Sequence, residues 1–184
     1  MQCARLFFYF TSAYNTFVAK DEGVKTAWSQ VENQYQRRSD LIPNLVNTVK
    51  GYSEHEAETL EAVINARAKA TQTQVNVNDA NAFAKFQASQ DSLSAALGKL
   101  MVVVEKYPDL KADQSFLELQ AQLEGTENRI SVERRTYNET AKDYNIEIRQ
   151  FPRNFIANMF NFDIANLFEA AEGSDIAPVI DFAD

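Results

Sequence analysis

"QYQRRSDLIPNLVNTVKGYSEHE", residues 34–56, decides how the rest of the chain is laid out. Two arginines, Ser39 and Asp40 precede Leu41, Ile42 and Pro43, and an apolar rhythm then resumes until Glu54, His55 and Glu56. Either one helix stops at residues 37–41 and another begins, or a single helix runs on through a proline. A proline is well placed in the first turn of a helix, where its missing N–H has no intrahelical acceptor, and Ser39 or Asp40 is a fitting N-cap. The sequence therefore favours a connector at 37–41, with a proline kink inside one continuous helix as the alternative.

Apolar stripes extend in both directions from this point. Upstream, Phe10, Tyr14, Phe17, Val24, Trp28, Val31 and Tyr35 fall on three- and four-residue steps, with Asp21 as the polar member. Downstream, a second stripe runs Ile42, Leu45, Val49, Tyr52, Glu56, Thr59, Val63, Ala66 and fades in "TQTQVNVND", residues 71–79. A third runs from Phe83 through Phe86, Gln90, Leu93, Leu97, Leu100 and Val104 to Tyr107, before Pro108. The fourth, capped by Asp113 or Ser115, runs from Phe116 to Phe151 and ends at Pro152. Such stripes mark helices with one buried face. Gly125 inside the fourth costs about 1 kcal/mol relative to alanine, which suggests a close packing contact.

Heptad spacing predicts near-antiparallel helices crossing at roughly 20°. With connectors at 37–41 and 107–114, the expected fold is all-α: a long antiparallel up-down four-helix bundle with a short C-terminal helical and extended segment folded back. Residues 1–13 form an apolar segment, 14–151 the bundle, and 152–184 an aromatic-rich extension.

Composition narrows the function. The 184 residues carry 26 acids against 18 bases, a net charge of −8 that repels phosphate backbones and argues against a nucleic-acid partner. A single cysteine leaves no intrachain disulfide and no cysteine-rich zinc site. The N-terminal apolar run is only Leu6 to Phe10, whereas a spanning helix needs about 20 residues, so as it stands it does not span a bilayer; the last turns of a membrane anchor are one reading of it.

Counting residues from the expected connectors gives levels along the bundle. One end gathers Arg37, Arg38, Asp40, Tyr107, Asp109 and Lys111, a candidate partner surface. Toward the other end, Tyr14-Asn15 and Tyr137-Asn138 fall at similar height, with Tyr144-Asn145 two turns further out. Their rings can pack while their tips hydrogen-bond. Asp21, Glu56 and Gln90 fall at one level, with Ile130 of the fourth helix there flanked by Glu127, Arg129, Glu133 and Arg134, as a candidate polar layer in which an arginine pairs with Asp21 or Glu56 to fix helix register. Converging carboxylates can also bind metal, but bundle metal sites use Glu-x-x-His pairs, and the only histidine, His55, lacks that spacing. "EHEAE" lacks the second histidine of the zinc-protease helix as well. No cofactor is expected.

Several segments together resemble the LemA family of bacterial proteins: "YNTFV", the run from Val24 to Glu56, "LEAVINARAKAT", "VVVEKYPDLKAD", "LQAQLEGTENRISVERRTYN", "YNIEIRQFP" and the closing "PVIDF". The resemblance implies an antiparallel four-helix bundle behind a short N-terminal membrane anchor, the bundle standing in an aqueous compartment. It supplies no catalytic residues, and some members are associated with membrane organisation or envelope functions. Where the family often has glycine between two late phenylalanines, this chain has Phe160-Asn161-Phe162, and asparagine also accepts left-handed backbone. The expected function is a non-enzymatic, membrane-associated bundle in the bacterial envelope that binds a protein partner or itself. One alternative is a metal-binding or hydrolytic bundle using Asp21, Glu56 and His55; another is a soluble self-assembling protein.

Overall fold

The computed structural model describes residues 2–52, 56–72 and 75–169. Among the described residues all regular structure is helical: α1 (Gln2–Lys50), α2 (Ala57–Gln72), α3 (Ala80–Val104), α4 (Pro108–Lys111), α5 (Gln114–Arg149) and α6 (Arg153–Met159). At 49 residues, α1 is about 75 Å long.

The expected connector at 37–41 does not exist. α1 passes through it with Pro43 inside the helix, and the chain turns instead at Gly51 and Tyr52, where Tyr52 N–H donates to Val49 O. An internal proline leaves the carbonyl four residues earlier without its helical donor. Here that carbonyl belongs to Ser39, and Arg67 of α2 donates its Nε–H to it at 2.8 Å. Ile42, Leu45, Val46 and Val49 are buried on the continuing face, so packing holds the helix together across the proline.

Other boundaries follow local chemistry. α2 ends at Gln72 in the stretch rich in Thr, Asn and Val, and α3 stops before Pro108. Asp79 caps α3 by accepting from Asn81 and Ala82 N–H, and Asp113 caps α5 by accepting from Phe116 N–H. Gly125 does not mark a close contact: it is exposed, and a Cβ there would meet nothing within 4 Å.

α1 and α5 run antiparallel. Trp28 meets Tyr137, Arg38 meets Glu127 and Tyr52 meets Asp113, and each pair of residue numbers sums to 165. α2 returns along the second half of α1, where Arg67 reaches Ser39, and α3 lies beside α2, where Gln90 Nε2 donates to Ala70 O.

The interior divides in two. An aromatic cluster holds Phe17, Trp28, Tyr35, Phe83, Phe86, Tyr137, Tyr144 and Phe168. An aliphatic cluster holds Ile42, Leu45, Val49, Leu60, Val63, Leu93, Leu97, Leu100 and Leu110, with Phe116.

After α5 the chain does fold back. α6 ends with Asn161 at φ 56°, the left-handed position anticipated for asparagine. Phe162 N–H reaches Ala157 O and Asn161 N–H reaches Asn158 O, the two bonds of a Schellman ending. Residues 162–169 then run extended over the helices.

Candidate functional site: a buried arginine layer and an extended strap

Between the two clusters lies a polar layer. Tyr35, Arg38 and Ile42 follow one another on α1 in steps of three and four, so Arg38 occupies a core position and is only 1% exposed. Gln90 stands likewise between Phe86 and Leu93 on α3, and is 5% exposed. Arg38 Nη1 donates to Ser94 Oγ at 2.8 Å and to Glu127 Oε2 at 2.9 Å; Nη2 donates to Gln90 Oε1 at 2.6 Å and to Gln90 O at 3.3 Å. The Gln90 amide then donates to Ala70 O at 3.2 Å, linking four helices through one guanidinium. Tyr35 places its ring 5.2 Å from Arg38 Cζ, and burial raises its phenol pKa.

The chemistry of this layer is positional. The four Nη N–H bonds of Arg38 face acceptors, and its Nε–H, which has no partner among the described residues, is closed off from solvent because the side chain is only 1% exposed. Glu127 is half exposed, which spares the pair much of the desolvation cost of a fully buried ion pair. What the layer does is fix the rotation and height of α1, α3 and α5 against each other, as single polar core residues do in coiled coils.

The second constellation is made by Tyr137-Asn138 and Tyr144-Asn145 on α5. Asn145 donates to Ala165 O at 2.8 Å and accepts from Ala165 N–H at 2.9 Å. Asn138 does the same for Phe168, at 3.0 and 2.9 Å. Tyr144 OH donates to Asp163 O and Tyr137 OH to Asn166 O. Each asparagine thus acts as a neighbouring strand would, pairing both main-chain groups of one strap residue. The spacing works because seven helical residues rise about 10.5 Å and three extended residues span about 10 Å.

The strap is fastened elsewhere too. Val77 O accepts from Asn166 N–H, Asn78 Nδ2 donates to Asp163 O, and Gln87 exchanges two hydrogen bonds with Glu169. Phe168 stacks on Trp28, with Phe83 and Tyr137 beside it and Arg134 Cζ 4.4 Å from its ring centroid. Burial lifts both tyrosine phenols above their ordinary range, Tyr144 to about 12.

The residues expected to meet at one end do not all meet. Arg37 and Asp40 are exposed in the second half of α1, with Asp40 accepting from Gln36, while Arg38 points into the core. Tyr107 lies about 18 Å away along the helix axis, level with the end of α1, donating to Glu56 Oε1. Lys111 pairs with Glu105, and Asp109 is exposed.

Asp21, Glu56 and Gln90 do not form one layer either. Asp21 pairs with Lys25, Glu56 accepts from Tyr107, and only Gln90 belongs to the buried network, with Arg38 and Glu127 as its charged members. Tyr14-Asn15 is not level with Tyr137-Asn138: Tyr14 packs against Phe160 and Phe162, beyond the end of α5. His55 and "PVIDF" lie outside the described residues. Among the described residues no three His, Cys, Asp or Glu side chains converge as a metal site requires.

One cause underlies these differences. Connectors at 37–41 and 107–114 would put Asp113 level with Arg38, but Asp113 accepts from Tyr52 OH at 3.0 Å. Fourteen residues, two heptads, separate those positions. The signal that could have found Arg38 is the unbroken stepping from Tyr35 through Arg38 to Ile42, which needs no turn.

The structure therefore defines an all-helical protein organised around a buried arginine and a main-chain strap. Its sequence is 29% identical to magnetosome protein MamQ 2 of Paramagnetospirillum magneticum, over 91% of this chain and 68% of that protein. It is 26% identical to magnetosome protein MamQ of Magnetospirillum gryphiswaldense, with the same coverage, and 25% identical to protein LemA of Metamycoplasma hominis, over 90% of this chain and 73% of that one. The family model of the LemA family matches residues 27–182, and the chain belongs to that family.

Proposed function

We propose that this protein is a non-enzymatic, membrane-associated scaffold of the bacterial envelope. In this reading α1, α2, α3 and α5 form an up-down-up-down four-helix bundle that stands in an aqueous compartment and binds protein partners or a second copy through its sides. The exposed Arg37 and Asp40 on α1 are one candidate contact, and Tyr107, Asp109 and Lys111 near the far turn are another.

The observation that carries the reading is the start of α1. Phe7, Phe8, Tyr9 and Phe10 are exposed in succession, at 66, 70, 38 and 40%. Four consecutive helical residues point in all directions around the axis, and a helix apolar all round belongs in a protein core or in lipid. Among the described residues no helix is long and apolar enough to cross a membrane, so the contact supported is with the part of a bilayer that α1 reaches. Relatives named for the magnetosome, a cellular structure rather than a reaction, fit a scaffold.

Fractionation of cells expressing the full chain tests this. The native chain is expected with the membranes, and a Phe7→Ser/Phe8→Ser variant is expected to shift toward the supernatant. Recovery of the native chain wholly in the supernatant would sink the proposal and favour a self-assembling protein, which sedimentation of the same sample would reveal.

A further inference from the structure

Resting on that reading, we infer that α6 is a second lipid contact, lying along the headgroup region of the bilayer that α1 enters. α6 is apolar on two faces. Ile156 and Ala157 are buried against the helices, whereas Phe155 and Met159, exposed by 63 and 65%, form an outward ridge that Phe151, in the turn just before α6 and 80% exposed, extends. Phe151 and Phe155 meet edge to face, and Phe160 packs on Tyr14 of α1 with ring centroids 4.8 Å apart, so the ridge and the α1 tip form one surface. Phe7, Phe10, Tyr14 and Phe160 also line a common groove.

The geometry sets the depth. The α1–α5 register brings Arg149, the last residue of α5, level with residue 16 of α1. α6 follows there, and Phe7 stands about 10 Å further out than Tyr14. When Phe7 to Phe10 enter hydrocarbon, the α6 ridge falls in the headgroup layer, about 5–7 Å thick on each side, where aromatic side chains concentrate.

Charge points to lipid as the occupant rather than a second copy. Residues 1–20 contain Arg5 and Lys20 and no acid, and residues 148–162 contain Arg149 and Arg153 and no acid, in a chain of net charge −8. Glu147 holds Arg153, while Arg5 and Arg149 are exposed. Acids begin at Glu147, which is taken up by Arg153, and continue with Asp21, Glu22, Asp143 and Asp163. A basic aromatic cap above an acidic body complements anionic headgroups, and a second identical basic cap would be repelled.

The test uses the full chain carrying Phe155→Trp and vesicles of phosphatidylcholine with phosphatidylglycerol, some containing lipid brominated near the headgroup. Trp28 lies in the core and supplies a constant background. The expected result is co-sedimentation with quenching of the added indole. A Phe151→Ser/Phe155→Ser/Met159→Ser variant of native helicity should bind about tenfold or more weakly. Vesicle binding with an unquenched indole and an undiminished triple variant overturns the role of α6 and leaves the α1 contact standing. Absence of vesicle binding by the native chain overturns both. Loss of vesicle binding together with dimerisation that the triple variant abolishes assigns the surface to a second copy and overturns lipid as its occupant.

Discussion

Arg67 of α2 donates its Nε–H to the carbonyl oxygen of Ser39, the acceptor that Pro43 deprives of a helical partner. A defect in one helix is thereby made into a tie between two. The tie predicts coupling. Pro43→Ala restores an N–H four residues after Ser39, so Arg67→Met should cost about 1 kcal/mol more beside proline than beside alanine. Urea denaturation of the four proteins in the cycle measures this, and equal costs in both backgrounds would show the bond to be incidental.

Arg38 should be the most sensitive polar position. Arg38→Met leaves the Gln90 amide oxygen buried without a donor and Glu127 without its cation, a loss of about 3 kcal/mol or more. Glu127→Gln keeps an acceptor and a half-exposed group, so it should cost about 1 kcal/mol. Thermal and chemical denaturation distinguish this order from its reverse.

The asparagine rungs can be tested atom by atom. Asn145→Ala removes both partners of Ala165, while Asn145→Asp retains the acceptor for Ala165 N–H and sets a second oxygen against Ala165 O. Both should lower hydrogen-exchange protection at Ala165 and Phe168 by about tenfold or more, with α1 and α5 amides little changed. Unchanged protection in either variant would mean the strap is held by Phe168 and its aromatic neighbours.

Two pH limits follow. The Asp113 carboxylate is held below its ordinary pKa first by Phe116 N–H and then by Tyr52 OH. A depressed acid contributes stability above its unfolded pKa, and that contribution is lost as pH falls through the folded value, so Asp113→Asn should flatten the decline below about pH 4. At the other extreme, burial first, then Asp21 and Asp163, raises Tyr144 to about 12. A raised phenol contributes stability below its unfolded value near 10, lost on rising toward 12. Tyr144→Phe should therefore reduce the alkaline loss of stability followed by circular dichroism.

Gly125 and Gly98 each face open space within a helix. Alanine at either position should stabilise by up to about 1 kcal/mol, raising the melting temperature; destabilisation at Gly125 would restore the packing contact that the structure removes.

Much of the fold is legible in the sequence. The stripes from Phe83 to Tyr107 and from Phe116 to Ile148, the Asp113 cap and the fading of α2 after residue 71 all follow from local chemistry, while the left-handed Asn161 follows from the family resemblance. The register of the helices does not. A turn moved by two heptads leaves every apolar face as it was, so periodicity is blind to the difference between Arg38 and Tyr52 as the partner level of Asp113. What decides between them is a long-range bond, Arg67 to Ser39, between residues 28 apart in sequence. The strap was hidden for a related reason: its rungs bond to main-chain atoms, which every residue carries.

The strap and α5 work as a vernier. One scale advances in heptads and the other in triplets of extended residues, and they coincide closely enough for two marks to align. Each further mark would fall behind by about half an ångström, so the reading is one of length and phase rather than of side-chain identity. The exposed strap residues Asp163, Ile164 and Leu167 can therefore drift in sequence while their position stays calibrated, provided Tyr137, Asn138, Tyr144 and Asn145 keep the graduations.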